Sequence, residues 1–121
     1  MIDHISVGVT DLAASGAFYD SVLATLGFER LVTRDHTFGY GKKYPEFWIN
    51  HRPGMPRADD TGLHICLRAR SQDIVNAFHK AALAAGGRDV GAPGIRPHHI
   101  ETYYAAFIGD LDGNRIEAVT F

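Results

Sequence analysis

The chain has 121 residues, 45% of them hydrophobic, and a formal net charge of −2 at neutral pH. This length allows one compact core and is too short for two independent domains. The small net charge argues against nucleic acid or an anionic membrane surface as a partner, and no apolar run approaches the roughly 20 residues of a membrane helix. Cys66 is the one cysteine, so no intrachain disulfide can form, and we predict a soluble protein of the reducing cytoplasm.

The first half of the chain predicts one strand, one helix and three further strands. Apolar residues alternate from Ile5 to Val9, which predicts a strand with one covered face and with His4 on the opposite face. Asp11 is the predicted N-cap of a helix that ends at Gly27. Three more strands are predicted near residues 28–33, 36–42 and 46–50.

The second half repeats this order. The alternation from Ile65 to Ala69 predicts a strand that carries His64 on its other face, and Ser71 is the predicted N-cap of a second helix, which ends at Gly86-Gly87. The last three strands are predicted near residues 88–90, 102–109 and 114–120, with a hairpin turn over 110–114. Residues 91–101, with two prolines and paired histidines, predict a long loop of the kind that forms functional lids.

The two halves are related by a shift of 60 residues. The matched pairs fall at equivalent points of the two halves: His4 and His64, Ile5 and Ile65, Phe18 and Phe78, Gly27 and Gly87. Self-similarity at a fixed offset indicates a repeated supersecondary unit. We therefore predict one domain over 1–121, with module 1 over about 1–52, a linker over 53–61 and module 2 over about 62–121.

Three side chains are candidate metal ligands. His4 and His64 occupy matched positions on the strand faces that the helices leave open, and Glu117 lies between two apolar residues on the final strand. Two imidazoles and a carboxylate suit a divalent ion such as zinc, nickel, manganese or iron(II). The alternative is that the histidines are ordinary surface or core residues and that Glu117 faces solvent.

Three segments resemble the signature segments of the vicinal-oxygen-chelate superfamily, which includes glyoxalases, bleomycin-resistance proteins and extradiol dioxygenases. They are Asp3–Ile5, Gly62–Ile65 and Asp110–Glu117, and the last resembles the family ending D-P-D-G-N-x-I-E with Leu111 in place of the usual proline. The resemblance covers nearly the whole chain in the expected order. It implies an α+β fold in which two tandem βαβββ modules form an incomplete β-barrel around a central cavity.

The resemblance also implies that His4, His64 and Glu117 occupy three of the four metal-ligand positions of the family. The fourth position falls on Trp48, which cannot bind a metal, unless a shifted register brings in Glu46. This departure speaks against a glyoxalase I with four protein ligands. It leaves two readings open: an open three-ligand site, or a metal-free pocket in which Trp48 is an aromatic wall.

Further residues are expected to line the cavity. Tyrosines combine an apolar body with a hydroxyl that orients a substrate, and histidines titrate near neutral pH. Together with Trp48, the candidate substrate-binding residues are Tyr40, Tyr103, His98 and His99. Core packing for the tyrosines and solvation for the histidines are the alternatives. Cys66 is expected to border the pocket without a base to activate it, and His36, His51 and His79 are expected on the surface.

These observations support two functions from different classes. The leading hypothesis is a divalent-metal-dependent enzyme of the glyoxalase-like type, related to lactoylglutathione lyase, that acts on a small oxygenated substrate. The alternative is a metal-free small-molecule binding protein that resembles the bleomycin-resistance proteins. No sequence feature favours a third possibility, a structural or regulatory domain, and fold alone does not fix function. Open sheet edges predict a homodimer.

Overall fold

The computed structural model describes residues 1–98 and 102–121, and within them the order βαβββ occurs twice. The elements are β1 (Ile5–Val9), α1 (Leu12–Ala24), β2 (Glu29–Thr33), β3 (Thr37–Gly41), β4 (Pro45–His51), β5 (Ile65–Arg68), α2 (Gln72–Ala84), β6 (Arg88–Ile95), β7 (Tyr104–Gly109) and β8 (Arg115–Thr120). The predicted α+β class and the predicted repeat are therefore confirmed. The two helices occupy matching positions in their modules.

Each module forms its own four-stranded sheet. The strand orders are β1-β4-β3-β2 and β5-β8-β7-β6. In both sheets the first strand pairs in parallel with the last strand of its module, and the remaining pairs are antiparallel. The two sheets are not closed into a barrel, which agrees with the expected incomplete barrel.

The helix boundaries follow the predicted capping residues. The side chain of Asp11 accepts a hydrogen bond from the backbone N–H of Ala14 at 3.0 Å, and Ser71 accepts one from Ile74 at 3.2 Å. These bonds satisfy amide groups that have no partner within the first helical turn. Gly27 and Gly86 follow the helix ends with φ of 81° and 96°, a left-handed conformation that glycine adopts without steric cost.

One hydrophobic core serves both modules. Phe18 on α1 and Phe78 on α2 are fully buried in the same cluster, together with residues from both sheets. The two helices contact each other, and α2 also packs against β6, β7 and β8. α1 packs against β2, β3 and β4 in the same way, so each sheet has one face covered by helices and one face left open.

Long-range hydrogen bonds tie module 1 to the turn between β7 and β8. The hydroxyl of Tyr19 on α1 donates to Asp110 at 2.6 Å, and the hydroxyl of Thr10 donates to Asp112 at 2.7 Å. The side-chain amide of Asn114 donates to the carbonyl of Gly8 at 2.9 Å. Burial raises the pKa of Asp110, while the hydrogen bonds from Tyr19 and Asn114 act in the opposite direction. The turn predicted from sequence is thus also a joint between the modules.

Two expectations about module 2 were wrong. The strand predicted over 88–90 continues to Ile95, so the expected loop over 91–101 is shorter. The register of β6 shifts at Gly91 and Gly94. Such bulges on an edge strand tolerate glycine and proline, so this segment pairs with β7 although its composition predicts a loop. His79, expected on the surface, is buried and its ring contacts Asp89 at 3.1 Å. No helix in residues 1–98 and 102–121 is both long and apolar enough to cross a membrane.

Candidate functional site

Glu117 is a buried carboxylate on the open face of the module 2 sheet. Its neighbours along β8, Ile116 and Ala118, belong to the hydrophobic core, so alternation along the strand directs Glu117 to the opposite face. Cys66 on β5 and Phe107 on β7 are its partners in register. The side chain of Glu117 is only 3% exposed. The alternative of a solvent-facing Glu117 therefore does not hold.

Two polar groups hold this carboxylate. His64 Nε2 lies 3.0 Å from Glu117 Oε2, and the hydroxyl of Tyr103 donates to Glu117 Oε1 at 2.6 Å. A buried carboxylate is unfavourable unless charged or hydrogen-bonding groups compensate it. Burial, followed by the hydrogen bond to Glu117, raises the pKa of Tyr103, so this tyrosine remains a hydrogen-bond donor at neutral pH.

Cys66 borders this cluster, as expected. Loss of water around its sulfur raises the pKa of the thiol to about 12, and the carboxylate of Glu117 adds to the shift. The thiolate is the reactive form of cysteine. Cys66 therefore borders the site as a neutral thiol at physiological pH.

The open face of the module 1 sheet is built around Trp48. Trp48 pairs in register with Ser6, as Glu117 pairs with Cys66, so the predicted equivalence of Trp48 and Glu117 is confirmed. The ring of His4 lies edge-on to Trp48, with centroids 6.5 Å apart, and the guanidinium of Arg34 lies 5.6 Å from the same ring. Module 1 thus presents an aromatic surface where module 2 presents a carboxylate.

His4 and His64 both line a cavity of about 480 Å³, to which Glu46 also contributes. His4 Nδ1 lies 2.7 Å from the carboxylate of Asp3. Among the described residues, no three His, Cys, Asp or Glu side chains are arranged to hold a metal ion. A single chain therefore joins His64 to Glu117 but leaves His4 outside this pair.

The remaining candidate residues have different environments. Tyr40 is fully buried, and its hydroxyl donates to Gly16 and Asp20 on α1, so it belongs to the core side of its sheet. Tyr40 is directly opposite the buried Phe47 in the antiparallel pair of β3 and β4. Paired residues point to the same face of a sheet, so both side chains face the core. His98 is exposed and makes no hydrogen bond with another described residue. His99 lies outside the described residues.

Phe107 and Phe121 are residues of this face that were not predicted. The ring of Phe107 contacts that of His64, with centroids 5.6 Å apart, and Phe121 stacks on Tyr103 at 5.7 Å. The hairpin turn could have revealed Phe107, because it sets the register that places this residue opposite Glu117. Phe121 lies just after the end of β8, and no sequence pattern indicated that its ring would reach this face.

The repeated βαβββ fold is that of one protein class. The model of the Glyoxalase/Bleomycin resistance protein/Dioxygenase superfamily matches residues 1–118, and the chain belongs to this superfamily. Its members commonly use divalent metals, bind small molecules and are typically dimeric. A search of curated proteins found none with significant sequence similarity to the chain.

Solved structures agree with this assignment. A glyoxalase/bleomycin resistance protein from Albidiferax ferrireducens is 34% identical, with a TM-score of 0.86 over 97% of this chain and 96% of the other. Two more distant structures share the fold. The glyoxalase I mutant E144Q from Zea mays is 21% identical, with a TM-score of 0.72 over 96% of this chain and 45% of the other. The fosfomycin resistance protein FosX from Listeria monocytogenes is 17% identical, with a TM-score of 0.73 over 98% of this chain and 91% of the other.

Proposed function

We propose that the chain is a divalent-metal-dependent enzyme of the glyoxalase-like type, related to lactoylglutathione lyase, that acts on a small oxygenated substrate. The observation that carries this proposal is the buried carboxylate of Glu117, held between the imidazole of His64 and the hydroxyl of Tyr103. A nitrogen and an oxygen donor that meet at 3.0 Å on an open sheet face form a donor set that suits a transition-metal ion.

His64 and Glu117 would be two of the metal ligands and His4 the third. Because one chain does not bring His4 into this pair, we propose that a second copy supplies it in a homodimer. A bound zinc, nickel, manganese or iron(II) ion would act as a Lewis acid towards substrate oxygen atoms. The chain's own contribution is positional: Tyr103 orients the Glu117 carboxylate, and the rings of Phe107 and Trp48 exclude water from the substrate.

Metal analysis of purified protein tests this proposal. After reconstitution with each of the four ions, we expect about one ion per chain in the wild-type protein. Bound metal should fall to background in His64→Ala and Glu117→Gln. Glu46→Gln is the matched control, because Glu46 lines the same cavity and is separate from the His64–Glu117 pair. Absence of stoichiometric metal under all four conditions would refute the metalloenzyme.

A mixing experiment tests the division of ligands between two chains. His4→Ala and Glu117→Gln should each lose the metal when purified alone. When equal amounts are mixed and allowed to exchange subunits, one site of each mixed dimer regains three intact ligands. Bound metal should then return to about one quarter of the wild-type level, because half of the dimers are mixed. If the mixture stays at background while mixed dimers form, the site is not shared in this way.

One observation favours the second candidate, a metal-free small-molecule binding protein. The indole of Trp48 lies on the open face, with the His4 ring edge-on to it at 6.5 Å and the Arg34 guanidinium at 5.6 Å, and an aromatic surface of this kind suits stacking of a flat ligand. Ligand binding that quenches Trp48 fluorescence and survives removal of metal by a chelator would support this function. Loss of binding on chelation would support the metalloenzyme.

A further inference from the structure

The open face of module 2 carries positive charge on both sides of Glu117. The guanidinium of Arg68 lies 3.9 Å from the centre of the Phe121 ring, and that of Arg96 lies 5.5 Å from the centre of the Phe107 ring. Phe121 stacks on Tyr103, and Phe107 contacts His64. A continuous line of contacts therefore runs from one arginine through the His64–Glu117 pair to the other.

The two arginines differ in how much of their hydrogen-bonding capacity is used. Arg96 donates to the carbonyls of Ala92 and Gly94, so its guanidinium is occupied in holding the backbone of β6. Arg68 forms no hydrogen bond and no ion pair with any residue of the described ranges 1–98 and 102–121, and the residue is exposed. A guanidinium that is stacked on an aromatic ring through its face keeps its N–H edges available.

The position of Arg68 relative to the carboxylate is fixed by strand geometry. Cys66 pairs in register with Glu117, and Arg68 lies two residues further along β5 on the same face. Two residues of a strand span roughly 7 Å. An arginine side chain at this distance reaches a small molecule that also contacts the His64–Glu117 pair.

We propose that Arg68 is the recognition residue for an oxyanion, a carboxylate or a phosphate, carried by the substrate of this site. The planar fork of N–H donors on a guanidinium matches these groups. Arg96 adds positive potential from the other side of the face. This assignment rests on the proposed function for the identity of the neighbouring ligands, whereas the binding of an oxyanion at Arg68 does not require a metal.

The first experiment uses simple anions and metal-free protein. Inorganic phosphate and propionate, titrated separately by nuclear magnetic resonance or calorimetry, are expected to bind weakly, and the stronger of the two identifies the preferred oxyanion. In Arg68→Gln the affinity for that anion should fall about tenfold or more, the usual cost of losing a charge-assisted hydrogen bond. Lys80→Gln removes one charge from the exposed side of α2 and should leave binding unchanged.

Arg68→Lys separates charge from geometry. It retains the positive charge but lacks the bidentate fork, so we expect affinity between those of the wild type and Arg68→Gln. A merely structural role for Arg68 over Phe121 would lower the melting temperature in these variants without changing anion affinity. That result, or equal anion affinity in the wild type and Arg68→Gln, would overturn the assignment.

A second experiment separates this inference from the metalloenzyme proposal. Dihydroxyacetone phosphate and dihydroxyacetone share the same adjacent oxygen atoms and differ in the phosphate. Metal-reconstituted protein should bind the phosphate ester about tenfold more tightly, and Arg68→Gln should abolish the preference. If no metal binds but Arg68-dependent phosphate binding persists, only the metalloenzyme proposal fails. If metal binds without any preference for the ester, only the oxyanion assignment fails.

Discussion

The two modules share a backbone plan but present different surfaces on their open faces. In module 1 the position beside Ser6 is occupied by Trp48, and in module 2 the matching position beside Cys66 is occupied by Glu117. The two strand pairs have the same register, so the difference at this position lies in the side chains. The comparison shows that a duplicated fold supplies equivalent positions, and that one copy can present a carboxylate where the other presents an aromatic ring.

The neighbouring strand compensates for this exchange of side chains. Gly39 faces Trp48 in module 1, and a Cβ atom on this glycine would come within 2.8 Å of the indole ring. The matching partner of Glu117 in module 2 is Phe107. The aromatic ring therefore lies on β4 in one module and on β7 in the other, and in each module it lies beside the histidine of the open face.

The largest expected effects concern the shared core. Phe18 and Phe78 are equivalent and fully buried, so Phe18→Ala and Phe78→Ala should each lower the free energy of unfolding by about 3–5 kcal/mol. Because the core is continuous, Phe78→Ala in module 2 should shift the unfolding midpoint reported by Trp48 fluorescence in module 1. An unchanged Trp48 midpoint, with a shifted midpoint in circular dichroism, would show that the modules unfold independently.

Tyr19→Phe tests the joint between the modules. It removes the 2.6 Å hydrogen bond to Asp110, whose carboxylate is buried, and should destabilise the protein by about 2–3 kcal/mol in urea unfolding. The pKa of Asp110 should rise further, because this hydrogen bond is one of the contacts that lower it. Tyr40→Phe is the control, because the hydroxyl of Tyr40 bonds only within module 1, and it should lower the free energy of unfolding by a smaller amount. Equal costs would mean that the joint has no special role.

Gly39→Ala tests the packing difference between the open faces. The added methyl group would meet Trp48 and Pro45, so we expect a loss of about 1–2 kcal/mol. In a Trp48→Leu background the same substitution should cost less, because the larger part of the clash is removed. A double-mutant cycle in thermal unfolding measures this coupling, and an additive result would contradict the packing account.

The smallest expected effect concerns the link between α2 and β6. The hydrogen bond from the His79 ring, and then that from the backbone N–H of Gly91, lower the pKa of Asp89 from 3.8. The hydrogen bonds to the ionised Asp89 stabilise the folded state fully above the ordinary pKa of 3.8. This contribution is lost as the pH falls through the lower pKa of the folded state. Asp89→Asn should therefore be slightly less stable than the wild type at about pH 5, and the difference should shrink as the pH falls below 3.8. Asp59→Asn, in the exposed linker, is the control and should have the same stability as the wild type at each pH tested.

Much of the fold could be predicted because local rules decide it. Alternating apolar residues fixed the first strand of each module, and Asp11, Ser71 and Gly27 marked helix ends through backbone hydrogen bonding and φ. The extent of β6 could not be predicted, because glycine and proline ordinarily indicate a loop and only pairing with β7 makes that segment a strand. Pairing partners depend on tertiary structure and not on the local pattern.

The candidate site could be predicted only where the alternation along a single strand determines which face a side chain occupies. The open-face positions of His64 and Glu117 followed from alternation along their own strands. Tyr40 was expected in the cavity and lies in the core, because the facing of β3 depends on its pairing with β4. The contacts of Arg68 and Tyr103 with Phe121 join residues far apart in sequence, and no short-range pattern encodes them.

The bonds that join module 1 to the turn before β8 span 91 to 106 residues of sequence and are all non-covalent. They act together with the shared core, while the linker over 53–61 lies mostly at the surface. The linker adds hydrogen bonds from the backbone N–H of Ala58 to Asp112 and from Arg57 to Leu111, and it keeps the two halves at a high effective concentration. A chain cut within this linker should reassemble from its two fragments, so the fold is suited to use as a split reporter of proximity.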